Sequence, residues 1–365
     1  MSSTAAFTDD LGNSIGSGAP KKVILKTRPK GPLRLKDLEV VPQDITDESK
    51  LEDGQVLVSS SLLSCDAFIR TMLDEQAYHG STQPGDTLMA LGVGTVVASK
   101  NKKFKVGARV AGALGAQSLG PVKPEMIQPA LALPGVPESA ALGLLGLTSG
   151  MTAWCGIHAV LGPPKRGQTV VVTAAAGAVG SAAAQFARNR GARVIGVAGG
   201  PEKCAYLVND LKLSGAIDYK EARRDPKNGR SVAEQLDALA PGGVDFMMDQ
   251  VGGDVLDVVL ERMKPNARVV ICGAISQYEG NLNHGKVQGP SNYLKLAEKG
   301  CTMKGFNVIT YLYLLPWMLI RILISFWRGK VVMKETYHPG GIDAFPSALL
   351  SLLNGGHTGK MLVKV

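Results

Sequence analysis

The segment Val170–Ser181, VVVTAAAGAVGS, limits the possible folds of this chain more than any other. Four β-branched residues, Val170 to Thr173, favour an extended strand, and the run of small residues that follows forces a tight turn. An alanine-rich stretch, SAAAQFARNRG, then favours a helix. Against a G-x-G-x-x-G pattern, Ala175 takes the first glycine position, while Gly177 and Gly180 are retained. Small residues there let the backbone approach a pyrophosphate, and the amides at the helix N-terminus stabilise its charge. A purely structural turn could use the same glycines. The context favours a dinucleotide site, because a second strand, Arg193 to Ala198, follows at the interval a βαβ unit requires.

The end of that second strand bears on which nucleotide binds. An acid about 20 residues after the fingerprint would hold the 2′-hydroxyl of NAD. Here the chain reads Val197-Ala198-Gly199-Gly200-Pro201-Glu202-Lys203. Glycines at the acid's place remove a repulsion against a 2′-phosphate, and Lys203 offers it a positive charge, so NADPH is favoured over NADH. Two roles stay open at each neighbour. Glu202 is either that acid or an acid of the first helical turn, and Lys203 is either a phosphate ligand or a solvated helix residue.

Similar alternation continues through PEKCAYLVNDL, VDFMMDQVG and ARVVICGA to about Phe306, which predicts βαβ units and a parallel sheet. Upstream, from Lys22 to about Ser99, short strand-like runs are separated by Gly, Pro and Asp turns. Residues 331–365 return to strand and turn. The expected organisation is a flexible arm (1–20), a β-rich domain (21–138 and 331–365) and a nucleotide-binding domain (139–330). The arm has neither the basic and apolar regions of a signal peptide nor the arginine bias of a transit peptide.

Five cysteines, scattered and without a CxxC, signal neither a disulfide framework nor a structural zinc site, and suit a reducing compartment such as the cytoplasm. The formal charge of +9 raises the question of a nucleic-acid or membrane partner. It resides in two clusters: seven basic residues in Lys21–Lys36 and five in Lys100–Arg109, with no acid in either. Neither cluster has the aromatic or recognition-helix setting of a nucleic-acid module, so no nucleic-acid partner is expected. Solvated faces explain them, and anionic lipid becomes a partner only if another part of the chain meets a membrane.

Several motifs together resemble one family: AAAGAVGS, Glu202-Lys203-x-Ala205-Tyr206-Leu207, Asp218-Tyr219-Lys220, VDFMMDQVGG (Val244–Gly253), CGAISQY (Cys272–Tyr278) and the terminal GKMLVKV. They look like the zinc-independent medium-chain dehydrogenase/reductases, in the subgroup of prostaglandin reductases and alkenal double-bond reductases, also called leukotriene hydroxydehydrogenases. The likeness covers about residues 22–365. It implies a Rossmann domain, a doubly wound parallel sheet, inserted in a GroES-like β-rich domain, with the active site between them.

The activity implied is NADPH-dependent reduction of the C=C bond of α,β-unsaturated aldehydes and ketones. Gly177, Ala178, Val179 and Gly180 would hold the pyrophosphate, and Lys203 and Tyr219 would flank the 2′-phosphate. Gln250, where the family has Asn, would lie at the ribose. Cys272, Gly273, Ala274, Ile275 and Ser276, with Phe306, Asn307 and Val308, would line the nicotinamide, and His357 stands where the subgroup commonly has Asn. The subgroup's SVDPYMR appears as Ser64-Cys65-Asp66-Ala67-Phe68-Ile69-Arg70, without the proline and tyrosine.

Zinc-dependent relatives carry a Cys ligand, a His-Glu pair after a glycine, and usually a four-cysteine lobe. The comparable stretch here, Leu91-Gly92-Val93-Gly94-Thr95, offers no ligand, and Cys65 alone cannot hold a metal. Without a metal, the charge that develops on the carbonyl oxygen as hydride reaches the β-carbon must be met by hydrogen bonds. Tyr278, at the end of CGAISQY, is the candidate catalytic donor. Two other functions fit the same resemblance: a zinc-free quinone reductase, and an NADPH-binding member with little catalysis.

Residues 308–327 hold 16 apolar residues in 20, far more than the matching family helix. Three placements are open to them: burial at a homodimer interface or a substrate mouth, a peripheral membrane contact, or a membrane span. Pro316, Arg321 and the segment's place at the end of the Rossmann unit count against a span.

Overall fold

A computed structural model describes residues 19–75, 77, 80–279, 287 and 289–365, so most of the expected N-terminal arm lies outside the described residues. The β-rich part begins with the antiparallel pair β1 (Lys21–Leu25) and β2 (Leu38–Pro42). It continues with β3 (Val56–Ser64), β4 (Leu91–Ser99), β5 (Arg109–Ala113), β6 (Leu119–Val122) and β7 (Ile127–Pro129). The nucleotide-binding part contributes β8 (Thr169–Val172), β9 (Arg193–Ala198), β10 (Gly215–Asp218), β11 (Val244–Asp249), β12 (Met263–Ile271) and β13 (Thr302–Gly305). The chain then returns through β14 (Glu335–His338) and β15 (Lys360–Lys364).

Six strands pair in parallel in the order β10-β9-β8-β11-β12-β13, the doubly wound arrangement in which the strand order reverses beside the first strand. Burial on both faces explains the unbroken apolar run of β8, where all four residues are buried. The helix Ala178–Asn189 packs on this sheet through Ala182, Ala183, Ala184, Phe186 and Ala187, all buried. Alanine favours the helix and lets it lie close to the strands.

The β-rich sheet has the order β14-β15-β3-β4-β5-β7, with β6 also on β3. The last strand therefore closes a sheet that the early strands began, and the Rossmann unit is inserted within it. Residues 331–365, expected to be strand and turn, also contain a helix, Phe345–Leu353, which corrects that expectation. Ile342, Phe345, Leu349 and Leu352 recur at helical spacing and bury against the β-rich core, so this tertiary contact selects the helix.

The apolar segment is a 3₁₀ turn, Val308–Leu314, followed by an α-helix, Leu315–Trp327. Met318 and Ile322, one turn apart, are fully buried in the Rossmann core beside Val170 and Val172. By length and composition alone the segment could cross a membrane. Doing so would draw both side chains out of that core, so the packing argues against a span.

Candidate functional site: a cleft at the switch point

The turn after β8 is built for close approach. Ala174 adopts a left-handed conformation (φ 47°), one residue before the first fingerprint position. A Cβ on Gly180 would lie 2.3 Å from the Ala174 carbonyl oxygen, so only glycine lets the helix start directly against the turn. The requirement at Gly180 is thus internal to the fold, and Gly180 does not line the cleft, whereas Gly177, Ala178 and Val179 do.

Beside this turn, the ends of β8 and β11 are fastened by a buried carboxylate. Asp249 accepts hydrogen bonds from Thr173 Oγ1 (2.7 Å) and from the amides of Val251 (3.1 Å) and Gly252 (2.9 Å). Burial holds its carboxyl above the usual range, against these bonds. The Gln250 amide donates to Thr173 Oγ1 (2.8 Å), and Gln250 Nε2 donates to the Thr173 carbonyl (2.6 Å). Gln250 therefore lines the cleft with its side-chain nitrogen already engaged.

At one end of the cleft the Tyr219 ring covers Gly199, where a Cβ would meet the ring at 2.8 Å. Lys203 reaches the same cleft and donates to the Gly355 carbonyl (2.7 Å), and burial, then the charge of Lys220, lowers its pKa. Glu202 is exposed and does not line the cleft. Asp218 is occupied by the amides of Gly200 (2.8 Å) and Lys220 (2.9 Å) and by Arg224 (2.5 Å). Arg223, which the sequence reading missed, also lines this cleft. Its signal was the basic pair Arg223-Arg224 just after the Tyr219 strand end.

Between the two sheets, the loop before β15 crosses the turn. The Gly359 amide donates to the Ala176 carbonyl (2.7 Å), and Gly177 and Gly359 form a bridge. His357, on this loop, lines the cleft, and its buried Nδ1 has no hydrogen-bond partner. Burial, then the charges of Lys203 and Lys360, lowers its pKa to about 4, so the ring is neutral at pH 7. An unpartnered buried nitrogen, a lysine and a glycine-lined turn therefore share one cleft.

At the opposite end Cys272, Gly273, Ile275, Ser276, Phe306, Asn307 and Val308 line the wall, and Tyr278 closes it. Ala274 does not line it; its amide donates to the Tyr278 hydroxyl oxygen (3.4 Å), drawing the phenol over the loop. Burial, then Asp249, pushes the Cys272 thiol up to about 12, which leaves it no nucleophilic role at neutral pH. Cys65 is buried, and its thiol is likewise pushed far up by burial.

A further feature of the cleft was not anticipated. Lys360 and Asp66, both buried, pair at 2.7 Å, and Lys360 Nζ also reaches Ser149 Oγ (3.1 Å). Asp66 accepts from Ser64 Oγ (2.5 Å) and Thr148 Oγ1 (3.1 Å) as well. Asp66 and Lys360 belong to the β-rich sheet region, and Thr148 and Ser149 lead into the Rossmann unit. The cluster therefore stitches the two parts together at the cleft floor. The remaining wall is apolar, with Phe68, Met89, Leu91, Met126 and Ile309 among its residues, in a cleft of about 1400 Å³. Among the described residues, no group of three or more His, Cys, Asp or Glu could hold a metal ion.

A doubly wound sheet with a nucleotide cleft at its switch point, walled by a second β-rich domain, defines a two-domain oxidoreductase. Residues 21–129 match the N-terminal domain of oxidoreductase family, and residues 178–318 match the family described as zinc-binding dehydrogenase. The NADP(+)-dependent 2-alkenal reductase of Nicotiana tabacum is 35% identical over 94% of this chain and 97% of its own. Prostaglandin reductase 1 of Mus musculus is 35% identical over 87% of this chain and 92% of its own. The solved structure of CurA in complex with NADPH from Vibrio vulnificus superposes with a TM-score of 0.84, at 30% identity, covering 94% of this chain and 99% of that one. The chain belongs to the zinc-independent medium-chain dehydrogenase/reductases, in the subgroup of alkenal and prostaglandin reductases.

Proposed function

We propose that this protein is an NADPH-dependent reductase of the C=C bond of α,β-unsaturated aldehydes and ketones. The observation that carries the reading is a cleft with Lys203, Tyr219 and the unpartnered His357 nitrogen on one side, and Tyr278 above an apolar wall on the other. When bound, NADPH supplies a hydride. Gly177, Ala178 and Val179 would hold its pyrophosphate, with His357 beside them on the loop bridged to Gly177; Lys203 and Tyr219, joined by Arg223, would hold its 2′-phosphate, and Gln250 its ribose. Cys272 to Ser276 and Phe306 to Val308 would shape the nicotinamide pocket, with Gly180 and Ala274 acting from beneath through the backbone.

The chain's own chemistry is to orient an enone and meet charge at its oxygen. A phenol both donates and accepts, so Tyr278 would donate to the carbonyl oxygen as enolate character develops. The apolar wall keeps water from the β-carbon, and the α-carbon takes its proton from solvent. Tyr278→Phe should lower turnover by up to 10²–10⁴-fold while NADPH binding changes little. Unchanged turnover would remove Tyr278 from the chemistry. NADPH oxidation against a nine-carbon enal, a cyclic enone and a quinone tests the reading against its rivals. Quinone turnover alone would favour a quinone reductase, and no turnover on any a binding protein.

The domain bounds we propose are 21–138 with 331–365 for the GroES-like part and 139–330 for the Rossmann part. The proposed setting is cytoplasmic, consistent with five free cysteines. A homodimer is the proposed assembly, for which β13 offers the outer edge of the six-stranded sheet, and a light-scattering mass tests it.

A further inference from the structure

The solvent face of the helix Leu315–Trp327 is apolar. Tyr313 in the preceding turn, then Trp317, Ile320, Ile324 and Trp327, follow at spacings of four, three, four and three, and each is 39–73% exposed. They lie opposite the buried Met318 and Ile322, so the helix presents an apolar stripe where a surface helix would carry charge. The segment that carries the stripe begins at the cleft, where Val308 and Ile309 line the wall, and the exposed Ile309 and Leu312 continue the apolar surface to Tyr313.

Charge identifies what this face meets. Residues 299–334 include six basic residues and no Asp or Glu, and Arg321 and Arg328 border the stripe on its exposed side. Pairing the stripe with a second copy about a two-fold axis would centre near Ile320. The two Arg321 side chains would then lie side by side, with no acid in the segment to compensate them. At a lipid surface the same arginines extend to phosphates, tryptophan and tyrosine sit at the headgroup level, and the isoleucines enter the acyl boundary.

We propose that this helix docks the enzyme on an anionic membrane surface, with the cleft mouth at the bilayer. Resting on the reductase reading, this makes the substrate class a lipophilic enal or enone that partitions into lipid and reaches the cleft along the stripe.

The test is flotation of the full chain with vesicles of phosphatidylcholine alone and with phosphatidylserine added, read without any substrate. Association with the anionic vesicles, weakened by salt, is expected. Ile320→Glu/Ile324→Glu should reduce it by roughly tenfold or more, since each exposed isoleucine loses its lipid contact. Turnover of a short, water-soluble enal by that variant should be unchanged, which shows that it is folded. Failure of the wild type to float with anionic vesicles would overturn the proposal. So would a fall in the variant's particle mass from dimer to monomer, which would make the stripe a subunit seam. Neither result touches the reductase reading, which short-enal turnover decides by itself.

Discussion

Removing the ammonium of Lys360 should destabilise the protein far more than its single salt bridge suggests. Lys360 and Asp66 are 2% and 8% exposed at the side chain and 2.7 Å apart. At an effective dielectric of about 20, their attraction is roughly 6 kcal/mol. Desolvating two ions costs several kcal/mol each, so the pair as a whole stabilises little. Its removal from one side is another matter. Lys360→Met leaves the Asp66 carboxylate buried with two hydroxyl donors, Ser64 and Thr148, and no countercharge. An uncompensated buried charge costs about 3–5 kcal/mol, and the two hydroxyls place this site near the lower end. Asp66→Asn should cost a similar amount, because it strands an ammonium that keeps only Ser149 as a neighbour beyond the amide oxygen. The double variant removes both charges and should recover most of the loss. Urea unfolding of the wild type, both single variants and the double one closes a thermodynamic cycle. A coupling energy above about 2 kcal/mol is expected. Single losses below about 1 kcal/mol, or strictly additive ones, would show that the cluster does not hold the cleft floor.

Other consequences follow from the cofactor side of the cleft. Lys203→Ala should weaken NADPH binding by roughly 10–100-fold and leave NADH unchanged, as for one charge-assisted hydrogen bond to phosphate; fluorescence titration with both nucleotides reads this. Gly180→Ala should destabilise the Rossmann unit by about 1–3 kcal/mol, because its Cβ meets a carbonyl oxygen at 2.3 Å, and a thermal melt detects the loss. His158 and His357 are both held near pKa 4, chiefly by burial, against an unfolded value of 6.5. The unfolded chain therefore binds more protons between these values. Stability should be complete above pH 6.5 and fall by about 1.4 kcal/mol per pH unit per histidine toward pH 4. His158→Phe should flatten this slope in denaturant titrations.

The doubly wound parallel sheet was legible because its central strands β8, β9 and β11 are buried almost throughout and the turn after β8 carries small residues, so local sequence and global fold agree there. Strand β8, with its four buried residues, and the Gly177–Gly180 turn are the clearest case. The helix Phe345–Leu353 was misread because its apolar positions gain their meaning only once the β-rich core is there to receive them. The same limit hid the Asp66–Lys360 pair. Its members are 294 residues apart, and nothing in either neighbourhood marks a charge that will be buried. The glycine pattern marks Gly180 without showing that the Ala174 carbonyl limits it, and CGAISQY does not show that the Ala274 amide donates to the Tyr278 hydroxyl. Glycine patterns reveal that a backbone must come close to something, and the structure identifies what that is.

The most direct test of the reductase account uses NADPH carrying deuterium at the transferable C4 position, a nine-carbon 2-enal as substrate and mass spectrometry with NMR of the product. The expected product is the saturated aldehyde with one deuterium on the former β-carbon and an intact carbonyl. Deuterium on the carbonyl carbon of an allylic alcohol, or no transfer to the enal at all, would contradict the reductase reading.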